Sequence, residues 1–424
     1  MQPSLADERR RRVRYRRAGV SGRSFRFVLA LCATAGTATG ADIATVDTGS
    51  VGQASSLAIG ADGLPAMTYR NGSDGALLFA KCENLDCSSA IRESIEDAAG
   101  DQARGEYSSL RISGNGKPVV AWYDTADDNL AIARCANADC SDADVLRTLV
   151  DTPDDTGREA ALVLGSGGRP LVAFVNTSLH ALEFAACEMP SCVDVSVVAV
   201  DDDPVNSLGT GADVALGADG MPVIVYLDTT ADALRVAKCA VEDCSAGTVL
   251  SVLDAQVPTT IGADPAIAIG IDGNPVVSYF DEDDLALKVA HCNDPACAGA
   301  ATIRLIDDHP DGDAGRHNAI AIRPDGAPVV SYQRWGPDGV GGAGGAELRV
   351  AECTSADCTG GVRVVVVDSR PGEISGVETD IAIGSDGGAV ISYYDTSGQS
   401  LKVAKCNVQS CAGPGDRIFS DGFE

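Results

Sequence analysis

The chain has 424 residues, of which 61 are Asp or Glu and 32 are Lys or Arg, giving a formal net charge of −29 at pH 7. A surface of this charge repels phosphate backbones and anionic lipid, so nucleic acid is excluded as a partner, whereas cations, neutral sugars and basic protein surfaces are compatible with it. Beyond the first forty residues no segment is apolar over the length that crosses a bilayer, so no transmembrane segment is predicted.

The first forty residues have the three parts of a secretory signal peptide. A run of arginines begins at Arg9 and is followed by a short apolar stretch, 27–35, and by a small-residue cleavage site, Ala38-Thr39-Gly40. We therefore predict that residues 1–40 are a Sec-type signal peptide. The protein is then secreted, or held in the periplasm or at the cell surface.

The remainder of the chain consists of seven copies of one unit, spaced 52 to 61 residues apart. Each copy opens with an apolar strand such as "LAIG" and continues with a two-residue turn such as Asp62-Gly63, whose residues accept the positive φ of a tight hairpin. A second apolar run carries one aromatic residue at the same position in every copy: Tyr69, Trp122, Phe174, Tyr226, Tyr279, Tyr332 and Tyr393. Because this column falls in mid-strand in all seven copies, we predict a packing layer between neighbouring units rather than a sugar-stacking surface.

Two further strand patterns complete the unit. The third strand reads "LKVAKC" or its equivalent, and the fourth is β-branched and ends in Asp, as in "VRVVVVD" (362–368). Four short antiparallel strands in a repeat of about fifty residues, without helical periodicity, predict an all-β fold. The fold class is a seven-bladed β-propeller spanning residues 41–412.

The two ends of the repeated region predict how the ring closes. Residues 42–47 match a fourth strand and precede the first complete copy, whereas the last copy has only three strands before the C-terminal tail, 413–424. We predict that residues 42–47 complete blade seven beside residues 401–406, which leaves no open edge at the seam. The alternative is that residues 416–421 supply this strand.

Fourteen of the fifteen cysteines form seven Cys-x4-Cys pairs, one in each unit. Zinc requires four ligands on one tetrahedron, which seven pairs about fifty residues apart do not supply. The residue before the first cysteine varies, so His291 in "VAHCNDPAC" is not predicted as a ligand. In an exported protein such pairs indicate one disulfide in each blade, and the predicted bonds are Cys82–Cys87, Cys135–Cys140, Cys187–Cys192, Cys239–Cys244, Cys292–Cys297, Cys353–Cys358 and Cys406–Cys411.

The unit "DGNPVVSYFD...LKVAHCNDPAC" resembles repeats of secreted bacterial β-propeller proteins and is more distantly similar to sialidase-type and fucose-lectin-type propellers. The resemblance covers residues 42–411 and implies a propeller fold and export. No turn has the Ser and Trp of the Asp boxes found in sialidases, so sialidase activity is not implied. The tail "DRIFSDGFE" resembles a short C-terminal motif of exported proteins from some gammaproteobacteria.

Positions that differ between copies near the channel mouth are the candidate ligand contacts, because positions shared by all copies serve the fold. Those just before the first strands combine carboxylates, arginines and an aromatic: Gln53, Glu106 with Tyr107, Arg158 with Glu159, Asp264, Arg316 with His317, and Glu378. Such a set suits glycoside chemistry, which needs two carboxylic acids at a fixed separation. Sequence drift at exposed loop ends is the alternative.

The loops on the same face are acidic, as in "DEDD" (281–284) and "DDHPDGD" (307–313). Carboxylates and carbonyls of this kind can bind Ca²⁺, but no run matches an EF-hand loop, and a solvated surface with turn-forming Asp is the alternative. His309 and His317 share one loop with Asp311 and Asp313, and residues of these types can bind a metal ion. We predict no metal site and no cofactor.

Blade six departs from the common spacing by eight extra residues between its second and third strands. The insertion is the glycine-rich "GPDGVGGAGGAE" (336–347), which Arg334 and Trp335 precede. We predict that Trp335 offers an aromatic platform, and that Arg334 and Arg316 offer directional donors to a carboxylate or a sugar hydroxyl. Tolerated expansion of a loop is the alternative.

The leading interpretation of the sequence is an exported, monomeric, non-enzymatic binding module for a glycan or a protein. It rests on the absence of a catalytic motif such as GxSxG, HExxH or a P-loop. The alternative is a glycan-processing hydrolase or lyase with its site at the acidic channel mouth.

Overall fold

The computed structural model describes residues 40–96, 104–150, 152–202, 208–255, 263–308, 312–336, 345–370, 373–408, 410–413 and 418–420. It contains seven sheets with four antiparallel strands each, one of them extended by a fifth strand, and a short 3₁₀ helix at Ser166–Gly168. The first strands of neighbouring sheets contact one another in cyclic order, and that of sheet seven contacts that of sheet one. The predicted seven-bladed β-propeller is therefore confirmed.

The strands are given by their place in the blade, from blade one to blade seven. The first strands are β2 (Val51–Ile59), β6 (Arg104–Ile112), β10 (Thr156–Leu164), β14 (Leu208–Leu216), β18 (Ala263–Ile269), β22 (Asp313–Ile322) and β26 (Val377–Ile383). The second strands are β3 (Pro65–Asn71), β7 (Pro118–Asp124), β11 (Pro170–Asn176), β15 (Pro222–Asp228), β19 (Pro275–Asp281), β23 (Pro328–Gly336) and β27 (Ala389–Asp395). The third strands are β4 (Leu77–Cys82), β8 (Asn129–Cys135), β12 (Ala181–Cys187), β16 (Ala233–Lys238), β20 (Ala286–His291), β24 (Gly345–Cys353) and β28 (Ser400–Cys406). The fourth strands are β5 (Ala90–Glu96), β9 (Ala143–Val150), β13 (Val195–Asp201), β17 (Val249–Ala255), β21 (Thr302–Asp308), β25 (Val362–Asp368) and, in blade seven, β1 (Ala41–Thr48).

The N-terminal strand β1 belongs to blade seven. It pairs antiparallel with β28, from Ala41 opposite Cys406 to Thr48 opposite Ser400. The short strand β29 (Ile418–Ser420) pairs instead with β25 and extends blade six. The alternative in which residues 416–421 complete blade seven is therefore wrong.

The predicted aromatic column is a packing layer. All seven aromatic side chains are buried, and several tyrosines reach back to the fourth strand of the preceding blade. Tyr279 Oη donates to Asp254 Oδ2 at 2.6 Å, and the tyrosines of blades one, four, six and seven make the equivalent bond. Hydrogen bonds between the repeated tyrosines and aspartates thus join neighbouring blades, and the prediction is confirmed.

The residue before the first cysteine anchors the turn between the first and second strands. Lys81 Nζ donates to Asp62 Oδ1 at 2.8 Å, and the lysines of blades four and seven make the same contact. In blade five His291 takes this place, with Nε2 3.2 Å from Asp272 Oδ2. His291 therefore has a structural partner in the turn.

All seven predicted disulfides are present, each joining cysteines five residues apart. The second cysteine of the pair adopts a left-handed conformation in six blades, for example φ 53° at Cys244. Its N–H closes a turn on the residue three earlier, as from Cys244 to the Val241 carbonyl at 3.1 Å. Each disulfide thus closes a compact turn within one blade.

We expect peptide mapping of the non-reduced protein to find each cysteine bonded to its partner five residues further on. Replacing Cys239 and Cys244 together by alanine should lower the free energy of unfolding by about 2 kcal/mol, because a bond that closes a short loop restrains the unfolded chain only modestly. Urea unfolding measures this change. Bonds between cysteines of different blades would contradict the assignment.

Candidate active site at the channel mouth

Each first strand is interrupted where it enters the central channel. In blade three, Gly157 has φ 102° and Glu159 has φ 54°, and the pairing of β10 with β11 shifts register around them. A Cβ on Gly157 would lie 2.6 Å from Leu130 Cα of the preceding blade, so only glycine fits there. The local sequence Gly-x-y therefore sets the positions of the two residues that follow the glycine.

One residue in every blade occupies the second left-handed position, with φ between 48° and 63°. We call this set the mouth ring: Ala54, Tyr107, Glu159, Gly211, Asp264, His317 and Glu378. Three of its members are carboxylates, in blades three, five and seven. The ring is therefore acidic and chemically asymmetric, although the backbone repeats.

The carboxylates of the mouth ring bind the backbone of the next blade. Glu378 Oε2 accepts a hydrogen bond from the Ala54 N–H at 2.5 Å, and Asp264 Oδ2 accepts one from the His317 N–H at 2.8 Å. Glu159 Oε2 accepts one from the Gly211 N–H. Each carboxylate is thus held by the neighbouring member of the ring.

Glu159 differs from an ordinary surface carboxylate in its protonation. Its pKa is raised to about 7, mainly by burial and also by the charge of Asp264, whereas the Gly211 N–H and Arg158 act in the opposite direction. The residue is nevertheless half-buried rather than enclosed. At neutral pH Glu159 is therefore divided between a proton donor and a proton acceptor.

Tyr107 connects Glu159 to a second carboxylate. Its side chain is exposed, and its pKa is raised by burial of the hydroxyl and then by the charges of Glu159 and Glu106, with Arg158 opposing them. Glu106 is in turn paired with Arg70, whose Nη2 lies 3.7 Å from Glu106 Oε1. The charges of two carboxylates therefore act on one tyrosine where blades two and three meet.

Arg158 and Arg316 are the cationic side chains that precede members of the mouth ring. Arg158 Nε donates to Asp155 Oδ2 at 3.0 Å, and its guanidinium lies 4.8 Å from the centroid of the Tyr123 ring. Arg158 Nη2 also donates to the Tyr123 hydroxyl at 3.2 Å. Both partners restrict the orientation of this guanidinium.

Arg316 is held by the same kind of contacts in blade six. Its Nε donates to Asp313 Oδ2 at 2.6 Å, and the guanidinium lies 4.5 Å from the centroid of the Phe280 ring in blade five. A cation over an aromatic face is attracted by the ring quadrupole. Arg316 is therefore a fixed group on the rim of the mouth.

Two further carboxylates lie deeper, where the sequence analysis made no prediction. Asp213 Oδ2 accepts from the Ile267 N–H at 2.9 Å, and Asp380 Oδ2 accepts from the Leu57 N–H at 2.7 Å. Burial raises the pKa of both, and Arg111 opposes this shift. The sequence did mark Arg111 as an exception, because the other copies have Ala (five) or Val (one) at its position. This exception could have indicated a charged group on the first strands.

The structure brings together most of the predicted site residues and separates one. Glu106, Tyr107, Arg158, Glu159, Arg316, His317 and Glu378 all lie at the mouth, as the strand positions above show. Arg334 does not, because it is 1% exposed within β23, opposite Glu347 of β24. The prediction that Arg334 donates from the rim to a ligand conflicts with this burial.

Trp335 is 39% exposed and pairs with Asp313 across β22 and β23, so it lies beside the residue that holds Arg316. The glycine-rich insertion falls outside the described residues over 337–344, and so do His309 and Asp311. Among the described residues, no group of three or more His, Cys, Asp or Glu side chains is arranged to hold a metal ion. No helix in the described part of the chain is long and apolar enough to cross a membrane.

Neither a comparison with models of protein families nor one with curated proteins finds a match. Solved structures do match. The GH93 α-L-arabinofuranosidase of Fusarium graminearum, solved with arabinobiose, aligns with 86% of this chain and 96% of its own at 10% identity and a TM-score of 0.50. The α-L-arabinanase of Penicillium chrysogenum aligns with 87% of this chain and 98% of its own at 10% identity and a TM-score of 0.49. A PL25 ulvan lyase aligns with 73% of this chain and 77% of its own at 12% identity and a TM-score of 0.46.

At these identities the likeness shows the fold: a seven-bladed propeller, here with one disulfide in every blade. The leading interpretation of the sequence, a non-enzymatic binding module, is contradicted by this comparison, in which the matching structure with a TM-score of 0.50 is a glycoside hydrolase. The absence of a short catalytic motif had favoured that interpretation. Residues on different blades lie far apart in the sequence, so a site that combines them is not recorded in a short motif.

Proposed function

We propose that this protein is a glycoside hydrolase whose active site is the part of the mouth ring between blades two and three. The observation that carries the proposal is the carboxyl group of Glu159, which lies at the mouth with a pKa raised to about 7. A general acid works best when its pKa lies near the working pH. A carboxylic acid with an ordinary pKa would be ionised at neutral pH and would have no proton to donate.

Glycoside hydrolysis uses two carboxyl groups in different protonation states. In the proposed mechanism protonated Glu159 donates its proton to the oxygen of the leaving sugar. Glu106, which precedes Tyr107 in the sequence, is paired with Arg70, whose Nη2 lies 3.7 Å from Glu106 Oε1. Glu106 then acts on the sugar ring, either as a base that activates water or as the nucleophile.

The remaining groups of the site orient these two acids. The backbone N–H groups of Gly211 and Ala212 bind the carboxyl group of Glu159 and fix its orientation. Tyr107, on which the charges of both carboxylates act, offers an exposed aromatic ring, and sugar rings pack on such surfaces. Binding and proton transfer are thus located in one region of the mouth.

We also propose that the protein acts after export, directed by residues 1–40. The seven disulfides support this location, because such bonds persist in oxidising compartments. A glycan outside the cytoplasm is a substrate that such an enzyme meets.

The test is a panel of polysaccharides and chromogenic glycosides incubated with the purified protein. We expect new reducing ends or released chromophore from at least one of them, and the anomeric form of the first product distinguishes a nucleophilic Glu106 from a basic one. An unsaturated, ultraviolet-absorbing product would identify a lyase and overturn the hydrolytic mechanism. Absence of turnover on a panel that covers neutral and acidic glycans would contradict the proposed function.

A further inference from the structure

Two arginines at the channel mouth are held by the same set of contacts in different blades. Both belong to an Asp-x-Gly-Arg sequence, which ends at Arg158 in blade three and at Arg316 in blade six. In both, Nε binds the aspartate of the motif, and the guanidinium lies over an aromatic ring of the preceding blade. Because blades three and six are separated by two blades on one side and three on the other, the two arginines lie on opposite sides of the ring.

These contacts leave part of each guanidinium exposed to solvent. The Arg158 side chain is 37% exposed and that of Arg316 is 39% exposed. For Arg316, neither Nη1 nor Nη2 has a hydrogen-bond partner in the described part of the chain. An arginine that served only to join blades would direct these donors at the protein. Instead the aspartate and the aromatic ring fix Arg316 and leave its two terminal amino groups to the solvent. In Arg158 one of the two, Nη2, also donates to the Tyr123 hydroxyl.

A fixed guanidinium with two solvent-exposed amino groups is suited to bind an anion that has two acceptor oxygens. Its planar fork forms two parallel hydrogen bonds to a carboxylate or a sulfate. Since the side chain is already ordered, a ligand does not have to restrict it on binding. We propose, resting on the proposed hydrolase function, that the substrate is a glycan with acidic groups, carboxylate or sulfate, which Arg158 and Arg316 bind on the two sides of the mouth.

The charge of the protein limits how acidic this glycan is. The net charge of −29 repels a densely charged polyanion at long range. Recognition by two separate arginines therefore suits a largely neutral chain in which acidic sugars are spaced apart. Trp335, next to Asp313 in the strand pair, gives an apolar surface for the sugars beside Arg316.

The test is an array of uronate-containing and sulfated oligosaccharides, each beside its neutral counterpart, in which the carboxyl group is reduced or the sulfate removed. The protein is used as a Glu106→Gln variant so that turnover does not consume the ligands. We expect at least one acidic member to bind about tenfold or more tightly than its neutral counterpart, because hydrogen bonds to charged groups are stronger than those to neutral groups. The uronate and sulfate arms identify which acidic group is recognised.

The substitution Arg316→Lys keeps the charge and removes the fork, and we expect it to abolish most of this preference. Arg304→Lys, on the exposed outer strand of blade five, is the matched control and should leave it unchanged. Thermal unfolding of each variant shows whether the fold is retained. Equal binding of acidic and neutral members, absence of binding by every acidic member, or a preference that survives Arg316→Lys would overturn the inference.

The experiments distinguish failure of the proposed substrate class from failure of the proposed hydrolase function. Turnover of neutral glycans without any preference for acidic ones would overturn the substrate class and leave the hydrolase in place. Arginine-dependent binding without turnover by the wild-type protein on any glycan would overturn the hydrolase instead.

Discussion

Glu159→Gln is expected to lower kcat on the best glycan substrate by ~10²–10⁴-fold, because a positioned general acid contributes a factor of this size. Glutamine keeps the size of the side chain and an oxygen that can accept from the Gly211 N–H, but it has no proton to donate to the leaving sugar. The measurement is steady-state kinetics at pH 6. Glu93→Gln, on the exposed outer strand of blade one, is the control and should leave kcat unchanged.

The pH profile gives a second measure of the same group. The wild-type rate should fall as the pH rises through about 7, because Glu159 then loses the proton it must donate. A substrate whose leaving group needs no protonation, such as an aryl glycoside with an acidic phenol, should show a much smaller loss in Glu159→Gln. Comparable rates for variant and wild type on a natural glycan would remove Glu159 from the mechanism.

The same raised pKa has a consequence for stability. Since the pKa of Glu159 is raised from 4.5 to about 7 in the folded protein, the folded state holds this proton more tightly than the unfolded state between these values. The contribution of Glu159 to the free energy of unfolding is therefore highest below pH 4.5 and falls as the pH rises to about 7. Urea unfolding across this range should show a smaller decline for Glu159→Gln than for the wild type.

Arg349→Met is expected to lower the free energy of unfolding by about 3–5 kcal/mol, the typical cost of leaving buried charges without their partner. Arg349 Nη1 donates to Asp307 Oδ2 at 3.0 Å, and Nη2 donates to Glu347 Oε2 at 2.9 Å. Asp307 also accepts from the Tyr332 hydroxyl, so the change affects the junction of blades five and six. Urea unfolding measures the effect.

Arg92→Met is the matched control. Its side chain is 50% exposed, and its Nε lies 3.9 Å from Asp47 Oδ1, so the loss of this ion pair should cost less than about 1 kcal/mol. If Arg349→Met costs no more than Arg92→Met, the buried network does not hold the two blades together.

The fold was predictable because its determinants are local and repeated. A turn such as Asp62-Gly63, a buried aromatic such as Tyr279 and a cysteine pair each act within one unit, and seven copies of the pattern reinforce one another. The position of β29 was not predictable in this way, because residues 418–420 follow the last cysteine pair as a fourth strand would, but β1 already occupies that place in blade seven. Their pairing with β25 depends on which blade edge the tail reaches.

The site was predictable only in part. Comparison of the copies identified Glu106, Tyr107 and Glu159 as asymmetric positions, but their proximity depends on how neighbouring blades pack. The raised pKa of Glu159 depends on burial and on Asp264 two blades further on, which no spacing in the sequence reports. The prediction for Arg334 failed because the insertion lengthens the pairing of β23 with β24. The alternation of side chains along β23 does not show which of them are buried by this longer pairing.

The five-residue separation of the cysteines bears on how an exported chain acquires its covalent structure. Fourteen cysteines can combine in a very large number of ways, yet each one here has its native partner as its nearest neighbour in sequence. Because closing a short loop costs less entropy than closing a long one, a newly oxidised cysteine meets its correct partner first. We therefore expect oxidation to proceed unit by unit as the chain emerges, before the ends meet in blade seven.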